Sequence, residues 1–322
     1  MVRVQVRKLD AHQVGMEDSN KKRTRMLVII CAIVACAALL LTGCETQTYT
    51  PQSKQQTVSA SALGAAGTLR VGVNSASAPL AGQSSSSSRI VGIDVDVASY
   101  IADQLGCKVE IIDVGNDPAT ALANNTVDLV LGVDITEEEA QYWRSAPYLK
   151  AGVALFGATS ETAVPTVDSK PQIAAQASSK SSWRVTNLYG DDSLVAQDDL
   201  KSAFAALDSS AVQYVAADAV IGTYVAATND YDCKIVALLQ DASGYCAAVN
   251  AANVELQSAV SSAMDSLTNG GVMRVIESKW LDAPLSLDNI TVVKSATSET
   301  DDKAKDDKAK DESKDKKKKK NN

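Results

Sequence analysis

Between Gly67 and Val293 the chain alternates short apolar runs with longer stretches whose apolar residues recur at helical spacing. The short runs are bounded by Gly, Asp, Asn or Ser. They predict strands at 69–73, 108–112, 127–131, 147–156, 172–175, 213–217, 234–238 and 245–250. Helical patterns lie at 95–105, 119–124, 137–142, 183–188, 200–207, 219–227, 254–267 and 272–280. In the first helix Val97, Tyr100, Ile101 and Leu105 share one face, with Asp94 placed to cap it and Gly106 to stop it. Thr136 is placed to cap the 137–142 helix, whose glutamates suit a helix N-terminus. Leu256, Val260, Met264 and Leu267 form a later stripe, ended by Gly270-Gly271. Strand and helix in alternation predict an α/β fold, mainly parallel sheets flanked by helices.

Three segments outside this body read differently. Met26 to Leu41 is an almost wholly apolar run behind Lys21, Lys22, Arg23 and Arg25. A basic stretch, an apolar run and then small residues is the layout of a secretory signal peptide. Residues 44–66 are polar, rich in Ser, Gln and Thr, and read as a flexible tether. Residues 294–322 repeat Asp-Asp-Lys-Ala-Lys and end in Lys316 to Lys320; they read as a disordered charged tail. The tail is either a solvated appendage or a contact for an anionic surface.

Charge and rare residues narrow the chemistry. The formal charge is −8, and residues 1–43 carry seven basic and three acidic side chains, a net +4. Without them the chain stands at −12, which argues against nucleic acid as a partner. The one histidine, His12, lies in the signal segment, so the body has no Ser-His-Asp triad and no histidine metal site. No cofactor or metal is expected. Of six cysteines, Cys107, Cys233 and Cys246 belong to the body. Cys233 and Cys246 flank one apolar segment; they are either a disulfide of an exported protein or two separately buried thiols.

Leu41-Thr42-Gly43-Cys44 resembles the lipobox of bacterial lipoproteins. The resemblance implies cleavage before Cys44, a lipid such as palmitate on the Cys44 thiol, and a body held at the outer face of the cytoplasmic membrane. The other reading is an uncleaved membrane helix, for which the 17 residues from Met26 to Thr42 are the short end.

The order of motifs in the body resembles the bacterial extracellular solute-binding proteins of family 3, the receptors of amino-acid ABC transporters. The matching segments are Gly67-Thr-Leu-Arg-Val-Gly-Val73, Ile90-Val-Gly-Ile-Asp-Val-Asp96, Val127-Asp-Leu-Val-Leu131 and Ile135-Thr136. They continue through Pro147-Tyr148, Gln176-Ala-Ser-Ser179, Ala217-Asp218-Ala219-Val220 and Lys279-Trp280. The family implies the two-lobed type II periplasmic-binding-protein-like fold. Lobe 1 would be 67–156 with 245–293, and lobe 2 would be 157–244. An amino acid, amine or small peptide would bind between them, and the monomeric receptor would deliver it to an ABC permease.

Carried onto this chain, the family's ammonium-binding Asp falls on Asp218, and its Ser/Thr site before a helix falls on Ser179 and Lys180. Asp218 and Ser179 also read as ordinary helix caps. The family's carboxylate-binding Arg has no counterpart: Glu138 or Glu139 stands there, with Arg144 as a nearby substitute. Glu138, Glu139 and Asp218 together would favour a cationic ligand. Two other functions are weighed. A degenerate relative with a sensory or surface-interaction role fits the altered anchor and charged tail. An enzyme resembling cyclohexadienyl dehydratases shares the scaffold, but the missing Arg and His count against it, and no catalytic residue is expected.

Overall fold

Strand β1 (Thr68–Val73) is the centre from which the first lobe grows: Leu69, Val71 and Val73 are fully buried. The computed structural model describes residues 54–137, 141–161 and 163–294. β1 pairs in parallel with β5 (Lys108–Asp113) on one side and β6 (Leu129–Asp134) on the other. β14 (Ser243–Asn250) adds antiparallel to β6, and β7 (Tyr142–Arg144) and β8 (Leu149–Ala151) add antiparallel to β14. Three helices cover one face: α1 (Ile93–Leu105), α6 (Val254–Asn269) and α7 (Val272–Leu281). Short α2 (Pro118–Ala123) packs on the other, over Cys246 and Ala248. The serine-rich loop after β1 carries a small antiparallel sheet, β2 (Ala76–Ser77), β3 (Ala81–Gln83) and β4 (Ile90–Val91).

The second lobe repeats the scheme. β10 (Ile173–Gln176) pairs in parallel with β11 (Leu194–Gln197) and β12 (Tyr214–Asp218). β9 (Val153–Ala158) joins antiparallel to β12, and β13 (Cys233–Leu238) to β9. Helices α4 (Leu200–Asp208) and α5 (Ala219–Thr228) pack on one face around Phe156 and Phe204, whose rings meet edge to face at 5.2 Å. Helix α3 (Lys180–Tyr189) covers the other face. The two-lobed α/β architecture agrees with the sequence expectation. The parallel order holds within β5–β1–β6 and β11–β10–β12, and the strands on either side of the crossings, β8, β9, β13 and β14, pair antiparallel.

Several boundaries differ from expectation. β8 and β9 are one apolar run broken at Gly152, whose φ of 148° few side chains adopt, so 153–156 belongs to lobe 2. The return crossing lies between Leu238 and Ser243, which puts the start of β14 in lobe 1. The chain then crosses a third time. Residues 285–293 leave α7 and lie along β13, where Leu238 and Val293 exchange backbone bonds with neighbours at 2.8 Å and Leu287 is buried in the lobe 2 core. The described part of the expected tether, 54–66, packs on lobe 1: Val58, Ala62 and Leu63 are buried in its core. There the Thr57 N–H donates to the Leu105 carbonyl at 3.0 Å. The expected 137–142 helix ends instead in β7, because Tyr142, Trp143 and Arg144 pair with β14. The signal segment, Cys44 and residues 295–322 lie outside the described residues.

Cys233 and Cys246 are free thiols, as is Cys107. They do not form the weighed disulfide, since β13 and β14 belong to different sheets. Burial raises their pKa values to about 11 and about 12, and so keeps both protonated.

The N-terminal strap is tied by carboxylates: Glu255 accepts from the Ser59 N–H and hydroxyl at 2.6 and 2.7 Å, Lys54 pairs with Asp103, and Asp128 holds the strap's end. Asp128 accepts from the Gly64 N–H at 2.8 Å, the Arg70 N–H at 2.9 Å, and Arg70 Nε and Nη2 at 3.2 and 2.7 Å. Arg70 Nη1 also donates to the Asn125 carbonyl at 2.8 Å. A Cβ at Gly64 would lie 1.7 Å from Arg70 Nη2, so a side chain there would push the guanidinium off Asp128. Asp128 is 8% exposed, so removing it strands a guanidinium and two N–H groups. Asp128→Ala is expected to cost about 2–4 kcal/mol, read as a lower urea midpoint at unchanged slope. A loss below about 0.5 kcal/mol would mean the pair acts like an exposed surface ion pair.

Candidate functional site

The parallel strands of lobe 1 run with their carboxyl ends on one side, where crevices open in such sheets. A cleft of about 600 Å³ lies there. Lobe 1 supplies Asn116, Gly132, Asp134 and Tyr245 to its wall, and lobe 2 supplies Lys180 and Ile221 from the first turns of α3 and α5. Both walls are therefore carried by the ends of regular elements.

Lys180 joins the two walls. Its Nζ donates to Asp134 Oδ2 at 2.7 Å and to Thr136 Oγ1 at 3.0 Å. Asp134 Oδ1 in turn accepts from the Thr136 N–H at 2.9 Å and its hydroxyl at 2.8 Å. Burial works against the charge on Asp134, but the bonds from Lys180 and Thr136 outweigh it and hold the carboxyl below its usual range. Lys180 itself is half exposed, so the pair is a modest, salt-screened tie rather than a deep anchor.

Asp94 forms part of the cleft floor. Helix α1 begins at Ile93 with Gly92 as its N-cap, so Asp94 is not the cap that its position suggested. It sits one residue inside the helix, 1% exposed, its own N–H bonded to the Leu80 carbonyl at 2.9 Å. The Tyr148 hydroxyl donates to Asp94 Oδ1 at 2.6 Å and accepts from the Gly132 N–H at 2.9 Å. Gly132, at φ 75°, has no side chain to block the carboxylate: a Cβ would lie 2.6 Å from Asp94 Oδ2. Burial raises the Asp94 pKa to about 7, against the lowering effect of Tyr148.

The residues expected from the sequence fare unevenly. Lys180 lines the cleft, with its ammonium on Asp134. Ser179 is spent on a capping box, its Oγ accepting from the Ser182 N–H at 3.0 Å while Ser182 Oγ serves the Ser179 backbone. Asp218 caps α5, its Oδ1 accepting from Val220 and Ile221 at 2.9 and 3.1 Å. Burial raises its pKa, and those backbone bonds and Tyr245 oppose the rise. Arg144 Nη1 holds the carbonyls of Ile135 and Glu137 at 2.8 and 2.7 Å and so braces the loop after β6. Neither Asp218 nor Arg144 is among the residues lining the cleft. Glu138 and Glu139 lie outside the described residues. Asp94, Asp134 and Tyr148 were not expected. The signal for Asp94 was present, since it stands three and four residues before the buried Val97 and Ala98, on the inward face. Among the lining residues Lys180 is the one cation, beside Asp94, Asp134 and Glu137.

The family model of bacterial extracellular solute-binding proteins, family 3, matches residues 69–283. The chain belongs to this family. Among solved structures, the family fold is matched by an ancestral cationic amino acid solute-binding protein at 21% identity and TM-score 0.59, over 67% of this chain and 96% of that one. The unliganded, open L-cystine solute receptor of Neisseria gonorrhoeae matches at 22% and 0.60, over 68% and 94%. An ancestral arginine-binding protein bound to arginine matches at 28% and 0.51, over 66% and 98%. Comparison with curated proteins finds no match. Among the described residues no helix is long and apolar enough to cross a membrane.

The Asp94 environment has a consequence for stability. Its folded pKa of about 7 stands above the unfolded value near 3.9, so between those values the native state holds a proton that the unfolded chain releases. Stability from this group is full below about pH 4 and falls as pH rises to about 7. Asp94→Asn keeps an acceptor for Tyr148 and removes the charge. The variant is expected to gain on the parent by up to a few kcal/mol between about pH 5 and pH 8, in urea unfolding without added ligand. A difference that stays flat with pH would mean that Asp94 is already ionised in the native state.

Proposed function

We propose that the protein is an exported receptor that captures an amino-acid-like solute, amine or small peptide between its lobes and hands it to an ABC permease. Lipid on Cys44 holds it at the outer membrane face. The observation that carries this reading is the cleft itself, with Lys180 of one lobe reaching Asp134 and Thr136 of the other. A wall divided between two lobes joined by strand crossings can open by rotation and close on a small solute. The relative bound to arginine supports an amino acid or a similarly sized amine as the ligand. The acids of the wall favour an amine over an amino acid, because no arginine stands in the lining to fork a carboxylate. The reading is of a binding protein that releases its solute unchanged.

The detergent-solubilised chain, titrated by calorimetry with amino acids, short peptides and polyamines, is expected to bind one class saturably, one ligand per chain. Loss of all binding across that panel would favour a degenerate relative with a sensory or surface role. Lys180→Ala removes the tie between lobes; X-ray scattering without ligand is expected to give a larger radius of gyration than the parent. An unchanged radius would mean that other contacts hold the lobes. Cys44→Ser is expected to abolish incorporation of labelled palmitate and release the protein from membranes; labelling that persists would overturn the lipobox reading.

A further inference from the structure

We propose that the strap end of lobe 1 is a membrane-facing surface, resting on the phospholipid headgroups of the leaflet that holds Cys44. The inference rests on the lipid-anchor reading above and adds which face of the body meets the bilayer.

The strap fixes where the chain leaves the body. It is bound as far as Lys54, through Asp103, Glu255 and Asp128, and the Asn253 side chain donates to the Ala62 carbonyl at 2.9 Å. Nine residues, Glu45 to Ser53, separate Lys54 from Cys44. Fully extended they span about 30 Å. A folded body of about 240 residues has a radius of gyration of about 18 Å and a breadth of about 45 Å. A connection shorter than the body keeps the strap end from turning to the side away from the membrane. The whole of 45–66, if unfolded, would span about 75 Å and impose no such limit. Folding of the strap onto the lobe is what creates it.

The strap end is also the end of lobe 1 remote from the cleft. Helix α1 has Asp94 in the cleft near its start and finishes at Leu105, whose carbonyl accepts the Thr57 N–H at 3.0 Å. Its 13 residues set these ends about 20 Å apart. With the strap end on lipid, the cleft opens clear of the headgroups. Lobe 1 is then the fixed lobe, and lobe 2 the one that moves.

The surface at this end fits the polar–apolar boundary of a bilayer. Val254, 69% exposed, begins α6 beside the strap, and exposed Val109 lies in β5 next to the start of β1. Lys54 and Lys108 stand exposed at the same end. Of the acids near them, Asp103 is paired with Lys54, Glu255 is bonded to Ser59, and Glu110 lies in the field of Arg70. A groove of about 600 Å³ runs between strap, α1 and α6, lined by Val58, Leu105, Val254 and Ala259 with serine hydroxyls of α6 along it. Apolar residues flanked by long-stemmed lysines are what interfacial contacts use.

The test uses the lipidated full chain, purified from membranes in detergent and reconstituted into vesicles of phosphatidylglycerol and phosphatidylcholine. The photo-reactive residue p-benzoylphenylalanine is placed at one exposed site at a time: Val254 or Val109 at the strap end, Ser86 in the loop before α1, or Asn187 in α3. After irradiation, phospholipid adducts are expected at Val254 and Val109 and are expected to be absent at Ser86 and Asn187. The two strap-end sites are independent, so one misfolded variant leaves the other to decide. Flotation with the vesicles is read in parallel. A chain that floats but gives equal adducts at all four sites, stronger adducts at Ser86 or Asn187, or none anywhere would overturn the inference and leave the lipid anchor in place. A lipidated chain that does not float would sink both.

Discussion

The structure depends on how the chain passes between two sheets. One apolar run is bent at Gly152, so that β8 finishes the first sheet and β9 begins the second. The return between β13 and β14 is a few residues long, and residues 285–293 cross again to lie on β13. Each lobe therefore has its own core, and a cleft opens where strand ends and helix starts face each other. A glycine at the crossing costs chain entropy in the unfolded state. In return, the two buried halves of one apolar run can serve separate cores.

Within that opening, charge decides the character of the site. Lys180 reaches across to Asp134 and Thr136 from a half-exposed position, a tie weak enough to be broken and remade. Asp94 is the opposite case, a carboxyl nearly sealed from water and held by one phenol. Its low-dielectric setting makes its charge expensive and any partner it finds correspondingly strong. The cleft thus pairs a half-exposed ion pair with a buried acid. Groups that a sequence comparison would assign to ligand also carry structural bonds: Asp218 and Ser179 cap the starts of helices, and Arg144 braces a loop.

Much of the fold was legible because burial writes periodicity into the chain. Leu69, Val71 and Val73 alternate inward in β1, and Leu256, Val260, Met264 and Leu267 recur at helical spacing in α6. Capping chemistry was readable for the same reason, since Asp218 and Ser179 stand immediately before helices. Less legible were segments whose state depends on a distant partner. Tyr142 to Arg144 pair with β14, about a hundred residues later in the chain, and nothing local to the glutamates before them announces a strand. Val58, Ala62 and Leu63 sit in a polar stretch that looks like a tether, yet α1 and α6 offer them a surface to bury.

By itself the sequence determined the kind of molecule: an acidic α/β body with no histidine chemistry, family motifs in order, and an apolar run shortly before Cys44. Those properties are sums or periodicities along the chain, and they survive without knowledge of contacts. Tertiary structure alone decided which polar residues face the cleft. A side chain such as Asp94 reads as a helix cap until the fold places Tyr148 on one of its oxygens and Gly132 beside the other. The free thiols of Cys233 and Cys246 were settled the same way, because thirteen positions in sequence separate strands that belong to different sheets.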